Sequence, residues 1–167
     1  GGLGARVAKR GKGFDMQVIA TKRDLSKGAD MADEVLSPDS LPTLLERSDF
    51  VVLNFPLTPA TEEIINKESL NYMKPSSYLI NVARGGCVNE NDLIDALSNG
   101  NIAGAGLDHV WDDPLPSDSP FWDMDNVIIT PHTAGETRAY EENVIDILLE
   151  NLNRLCDGEE TLVNQIV

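Results

Sequence analysis

Arg84, Asp113 and His132 are the side chains of this sequence best placed for chemistry, because each follows a short apolar run. Residues 78–82 have the character of a buried strand and discharge through Ala83 into Arg84, which two glycines follow. A cation at that place points at something anionic. Residues 104–110 lead in the same way into Trp111-Asp112-Asp113-Pro114, and residues 126–130 lead into Pro131-His132. In a parallel sheet the carboxyl ends of the strands form the edge where ligands bind, so an arginine, a carboxylate and an imidazole converge there. Each also has a plainer reading: Arg84 as a surface ion-pair partner, His132 as the cap of a turn, and His109 as a structural residue within a strand.

The elements that must position these groups follow from the pattern. Gly1-Gly2-Leu3-Gly4, followed by a helical stretch over residues 5–14, matches the last four positions of a G-x-G-x-x-G turn whose first glycine and preceding strand are absent. Such glycines let backbone approach a pyrophosphate at a helix N-terminus, which makes Gly2 and Leu3 cofactor-binding candidates. Residues 16–21 read as the next strand and end in Thr21-Lys22-Arg23. An acidic residue there would bind the ribose hydroxyls of NAD; Lys22 and Arg23 instead suit a 2'-phosphate. The sequence therefore favours NADP(H), with Asp24 keeping NAD(H) open. Residues 25–40 are polar and carry no pattern. Ser40 is placed to cap a helix bearing Leu41, Leu44 and Leu45, and residues 50–55 form a strand. Asn54 and Pro56 then fall in a stiff loop at the carboxyl edge, where it presses on a cofactor or simply turns the chain. Asn89 and Asp92 have capping spacing, Gly100 closes the helix they begin, and residues 136–156 make a long amphipathic helix. This alternation predicts an α/β fold, a doubly wound parallel Rossmann-like sheet lacking its first strand.

Composition narrows the function further. The chain has 167 residues and a net charge of −15, which argues against nucleic acid and anionic membrane surfaces as partners. The charge is uneven, since residues 1–30 hold seven Lys/Arg against three Asp. No apolar run is long enough for a membrane span, and Cys87 and Cys156 lack metal or redox spacing. A cytoplasmic protein with no metal site is the expectation.

Three ordered motifs carry a resemblance: Asn81-Val82-Ala83-Arg84-Gly85-Gly86, Gly106-Leu107-Asp108 with Asp113-Pro114, and Thr130-Pro131-His132-Thr133-Ala134-Gly135. Together they resemble the D-isomer-specific 2-hydroxyacid dehydrogenases, which include phosphoglycerate, glyoxylate and hydroxypyruvate reductases. The resemblance implies a dinucleotide-binding domain over residues 1–157. Residues 158–167 would be a tail belonging to a substrate domain whose bulk is absent. It implies that Arg84 holds the carboxylate and carbonyl oxygen of a small 2-oxo acid, and that His132 donates the proton as hydride arrives. Asp108 would bond the nicotinamide carboxamide, with Val82, Ala83, Arg84, His132 and Gly135 lining the cofactor. A homodimer is implied for the complete protein. Where the family has glutamate before proline, this chain has Asp113, so the bond to His132 is expected to be long, water-bridged, or replaced by one from Asp112. Asp108 satisfying backbone amides alone, a corepressor-like dinucleotide sensor, and an inactive fragment are the alternatives.

Overall fold

A computed structural model describes residues 2–27 and 31–165. It divides into two compact units, Gly1–Ala134 and Gly135–Val167. The first unit opens with helix α1 (Gly2–Gly13) and a parallel pair, β1 (Ile19–Thr21) and β2 (Glu34–Leu36). Helix α2 (Leu41–Arg47) leads to β3 (Phe50–Leu53), α3 (Lys67–Leu70), β4 (Tyr78–Asn81), α4 (Glu90–Ser98), β5 (Gly104–Leu107) and β6 (Val127–Ile129). Strands β3-β4-β5-β6 form one sheet in that order, all parallel. The α/β class and the parallel, doubly wound character are as the sequence predicts.

Several expected boundaries are corrected. The strand expected over residues 16–21 begins only at Ile19, and β2 lies in the stretch that carried no pattern. The glycine turn is absent as a turn: α1 already includes Gly2, Leu3 and Gly4, while Gly1 lies outside the described residues. The strand expected to reach Val110 stops at Leu107, the one expected to reach Thr130 stops at Ile129, and the last helix, α5, spans Tyr140–Cys156. Strand pairing ends where backbone groups turn to local loop bonds, a limit that apolar runs do not mark. Ser40 stands at the N-cap of α2 without a side-chain capping bond; its hydroxyl lies 3.2 Å from that of Ser37.

Among the described residues β1 pairs only with β2, and β3 only with β4. The strands therefore form two separate parallel sheets, β1-β2 and β3-β4-β5-β6.

Why the four-stranded sheet holds is visible in its side chains. Leu53, Leu79 and Leu107 are buried along adjacent strands, with Leu45 of α2 and Leu93 and Leu97 of α4 in the same core. Strands β3 and β4 share one burial pattern, and the exposed rings Phe50 and Tyr78 at their paired starts stack at 5.6 Å. Helix α4 begins at Asn89, whose side chain accepts the Asp92 amide at 3.0 Å, and is followed by Gly100 at φ 67°. The Asp92 carboxylate accepts the Lys67 amide at 2.8 Å, tying α4 to the start of α3.

Strand β5 is packed so closely at its start that a Cβ on Gly104 would sit 2.5 Å from the Asn126 carbonyl oxygen. Because the obstacle is backbone, Gly104→Ala should destabilise the complete protein by about 1–3 kcal/mol. Gly13→Ala, whose Cβ would meet nothing within 4 Å, serves as the control. Thermal melts reading a lower midpoint for the first variant alone would support this packing, and equal midpoints would refute it.

Candidate active site

The carboxyl ends of β4, β5 and β6, adjacent in the sheet, deliver the chemical groups. Beyond β4, fully buried Asn81 shapes the turn that presents Arg84: its Nδ2 donates to the Arg84 carbonyl at 2.9 Å and its Oδ1 accepts the Ala83 amide at 3.0 Å. The Arg84 side chain is exposed, with Nη1 donating to the Ala83 carbonyl at 2.7 Å. Among the described residues this is the one hydrogen bond of a group with five donors, which an anion could engage. Gly85 follows because backbone needs the space. A Cβ there would lie 2.5 Å from the Val110 carbonyl group and 2.6 Å from the Trp111 amide nitrogen.

Asp108, one residue past β5, is buried and organises the loop after β6. Its Oδ1 accepts the Thr130 hydroxyl at 2.6 Å and the Thr133 amide at 2.9 Å, and its Oδ2 accepts the Ala134 amide at 3.0 Å. The Asp108 carbonyl accepts the His132 amide at 2.9 Å. His132 is held at φ 54°, a left-handed conformation uncommon outside glycine and a mark of functional positions when the surroundings over-determine it. Asp108 thus gathers a side-chain hydroxyl as well as backbone amides, and its effect is to fix the loop that carries His132.

His132 Nδ1 lies 3.3 Å from Asp113 Oδ2. A carboxylate only accepts, so Nδ1 carries the proton and Nε2 is left as the atom that exchanges one. The bond is longer than the 2.7–2.9 Å usual for charge-assisted pairs, in line with the short aspartate reach. Both partners are well exposed, so solvent screens the pair. Asp112 instead faces Glu90: burial first, and the Asp112 charge second, push the Glu90 carboxyl above its usual range. Asp108, Asp113, Leu115, Trp122, Thr130 and His132 line one cavity of about 310 Å³. Trp111 stacks on Phe121 at 5.4 Å and donates to the Val88 carbonyl, while Trp122 donates to the Pro116 carbonyl.

The dinucleotide candidates are distributed as follows. Asn54 lies at the start of α1, its Oδ1 3.4 Å from where a Cβ on Gly4 would be. A Cβ on Gly2 would meet nothing within 4 Å, and the first turn of α1 holds no acidic residue. Open backbone and absent negative charge at a helix start fit a pyrophosphate. Lys22 and Arg23 follow β1, Pro56 accepts the Thr61 hydroxyl through its carbonyl, and Val82 and Ala83 lie between β4 and Arg84. Leu3 is exposed on α1, and Gly135 falls in the second unit. Cys87 is buried, and that burial raises its thiol above the usual range, so packing rather than reactivity accounts for it. Among the described residues no group of three or more His, Cys, Asp or Glu could hold a metal ion, and no helix is long and apolar enough to cross a membrane.

Sequence reading missed Asn81 and Thr130 as individual contributors. A polar residue closing an otherwise apolar strand, immediately before Arg84, was the available signal for Asn81. Thr130 carried none, since threonine is common at strand ends.

Burial pushes the Asp108 carboxyl up, but the bonds from Thr130, Ala134 and Thr133, with the neighbouring His132, outweigh it and hold it below its ordinary value. A depressed folded value stabilises above the unfolded pKa of about 3.9 and loses that contribution as pH falls through the folded one. Asp108→Asn should therefore be less stable than the parent near neutrality, with the gap closing below about pH 4. Denaturant titrations across pH check this; a gap unchanged at low pH would contradict it.

A family model described as "D-isomer specific 2-hydroxyacid dehydrogenase, NAD binding domain" matches residues 1–134. A glyoxylate reductase of Korarchaeum cryptofilum is 39% identical over 170 residues, covering 100% of this chain and 51% of that protein. A D-isomer specific 2-hydroxyacid dehydrogenase family protein of Aeromonas salmonicida superposes with a TM-score of 0.89 at 34% identity, over 100% of this chain and 53% of that one. An NADPH-dependent glyoxylate/hydroxypyruvate reductase of Sinorhizobium meliloti, solved with NADP and sulfate, gives 0.86 at 29% identity, over 98% and 53%. The chain spans about half the length of the curated relatives it matches. The chain belongs to the D-isomer specific 2-hydroxyacid dehydrogenase family, and residues 1–134 correspond to the NAD binding domain of that family.

Proposed function

We propose that the complete protein is an NADP(H)-preferring reductase of small 2-oxo acids, with glyoxylate or hydroxypyruvate as substrate and NAD(H) as a poorer cofactor. The observation that carries this is His132, locked in a left-handed backbone by the Asp108 network with its Nδ1 on Asp113. That arrangement leaves Nε2 of a half-exposed imidazole to exchange a proton, which a protein that only sensed dinucleotide would not need. The bound cofactor supplies the hydride. Arg84 binds and orients the substrate carboxylate, where its planar fork matches two oxygens at once. His132 Nε2 gives its proton to the substrate oxygen as the carbonyl is reduced, and takes it back in the opposite direction. Asp113 steadies the imidazole and its charge. Lys22 and Arg23, following β1, support the preference for a 2'-phosphate. Glyoxylate/hydroxypyruvate reductases among the relatives, one of them solved with NADP, support the substrate class and the cofactor.

The same reading takes residues 1–157 as the dinucleotide-binding domain and residues 158–167 as part of the substrate domain. It takes the complete protein as a cytoplasmic homodimer, on the strength of the family resemblance.

Initial rates with NADPH and NADH against glyoxylate, hydroxypyruvate and pyruvate test the proposal. NADPH oxidation should dominate, and His132→Ala should lower kcat by about 10²–10⁴-fold. Asp113→Glu should leave activity equal or higher, since one more methylene shortens the bond to His132. Tight binding of both cofactors without turnover would overturn the enzyme reading, and a large loss in Asp113→Glu would show that the shorter side chain is itself required.

A further inference from the structure

His109 stands between the two groups assigned to the substrate. Its ring packs edge-on against the His132 ring, with centroids 4.3 Å apart and planes at 68°. Its Nδ1 lies 2.8 Å from the Val110 carbonyl oxygen, to which it donates when protonated, and 3.3 Å from the amide nitrogen of Gly85, the residue after Arg84, whose N–H it accepts in the other tautomer, so that either bond ties the ring to this junction. That contact falls where the Arg84 turn is pressed against Val110 and Trp111 too closely for any Cβ. One side chain therefore touches the backbone that carries the arginine and the ring that carries the proton. A residue that merely filled the core would be aliphatic here, since half-buried ring nitrogens need partners.

We propose that His109 is a positioning residue that couples the Arg84 turn to the His132 ring and so sets the spacing between carboxylate binding and proton transfer. Its two contacts have separable consequences. The Nδ1 contact governs how Arg84 is presented, and hence substrate binding. The ring contact limits the orientations open to His132, and hence the chemical step. Among the described residues the one hydrogen bond on the His132 ring is the long one to exposed Asp113, so a second wall matters more than it would beside a short ion pair. Misplacement by about 1 Å is enough to slow a reaction by about 10²-fold.

This inference rests on the proposed reductase activity, and two substitutions in the complete protein separate the contacts. His109→Phe keeps a ring against His132 but offers nothing to Gly85 or Val110. It should raise the substrate KM by about fivefold or more with kcat within about twofold. His109→Asn keeps a donor and an acceptor near that junction but removes the ring, and should lower kcat by about fivefold or more with KM within about twofold. The NADPH dissociation constant, read by fluorescence titration, should stay unchanged in both. Equal losses in both parameters, or no change in either, would overturn the proposal.

A readout without turnover keeps it apart from the functional reading, because a parent protein with no activity refutes that reading alone. Carbethoxylation of His132, followed by mass spectrometry, should run about threefold faster or more in His109→Asn and stay within about twofold of the parent in His109→Phe. The same rate in all three proteins would show that the two rings do not constrain one another.

Discussion

The buried carboxylate of Asp108 is the constraint on which the site depends. Placed one residue beyond β5, it gathers the Thr130 hydroxyl and the amides of Thr133 and Ala134, all from the loop that follows β6. Hydrogen bonds to an ionised acceptor are roughly twice as strong as neutral ones, and an unmatched carboxylate in that place would be costly. The loop therefore has one favourable course, and His132 takes its left-handed backbone as a result. The backbone at His132 is thus fixed by a buried carboxylate on the neighbouring strand end.

Arg84 is positioned by the same device at the neighbouring strand. Asn81 is neutral where Asp108 is charged, but it too sits at the buried end of a strand and folds its side chain onto the next turn. Parallel pairing places these two strand ends side by side, with Asn81 opposite Leu107 in register. The sheet thus acts as a ruler. Core side chains such as Leu79, Leu93 and Leu107 set the spacing of the strands, and polar residues one step past the core convert that spacing into the placement of Arg84 and His132. Asp113 is the looser member, because it is exposed and reaches His132 only at 3.3 Å.

Much of this was legible from residue order. Runs of five to seven residues located β3 to β6, and the polar residues just past β4, β5 and β6 lie at one edge of that sheet. What could not be read follows from physics that acts across the sheet. Glu34–Leu36 pairs as a strand though its pattern is weak, because β1 offers it a partner edge. The helical state of Gly2 to Gly4 contradicts the turn that glycine content suggests, since these residues are followed by a continuous helical run. His109 looked like one more position of a strand; only the end of pairing at Leu107 turns it toward His132 and Gly85. Chain order names the neighbours along a strand, but not those on the next loop.

The most direct test of the central claim is a crystal structure of the complete protein with NADPH and oxalate, a dianion shaped like a small 2-oxo acid. The account predicts one oxalate carboxylate paired with the Arg84 guanidinium and an oxygen within hydrogen-bond distance of His132 Nε2, with the Asp108 bonds to Thr130, Thr133 and Ala134 intact. Oxalate bound away from both side chains, or bound with His132 turned from it, would contradict the assignment of this edge of the sheet as the active site.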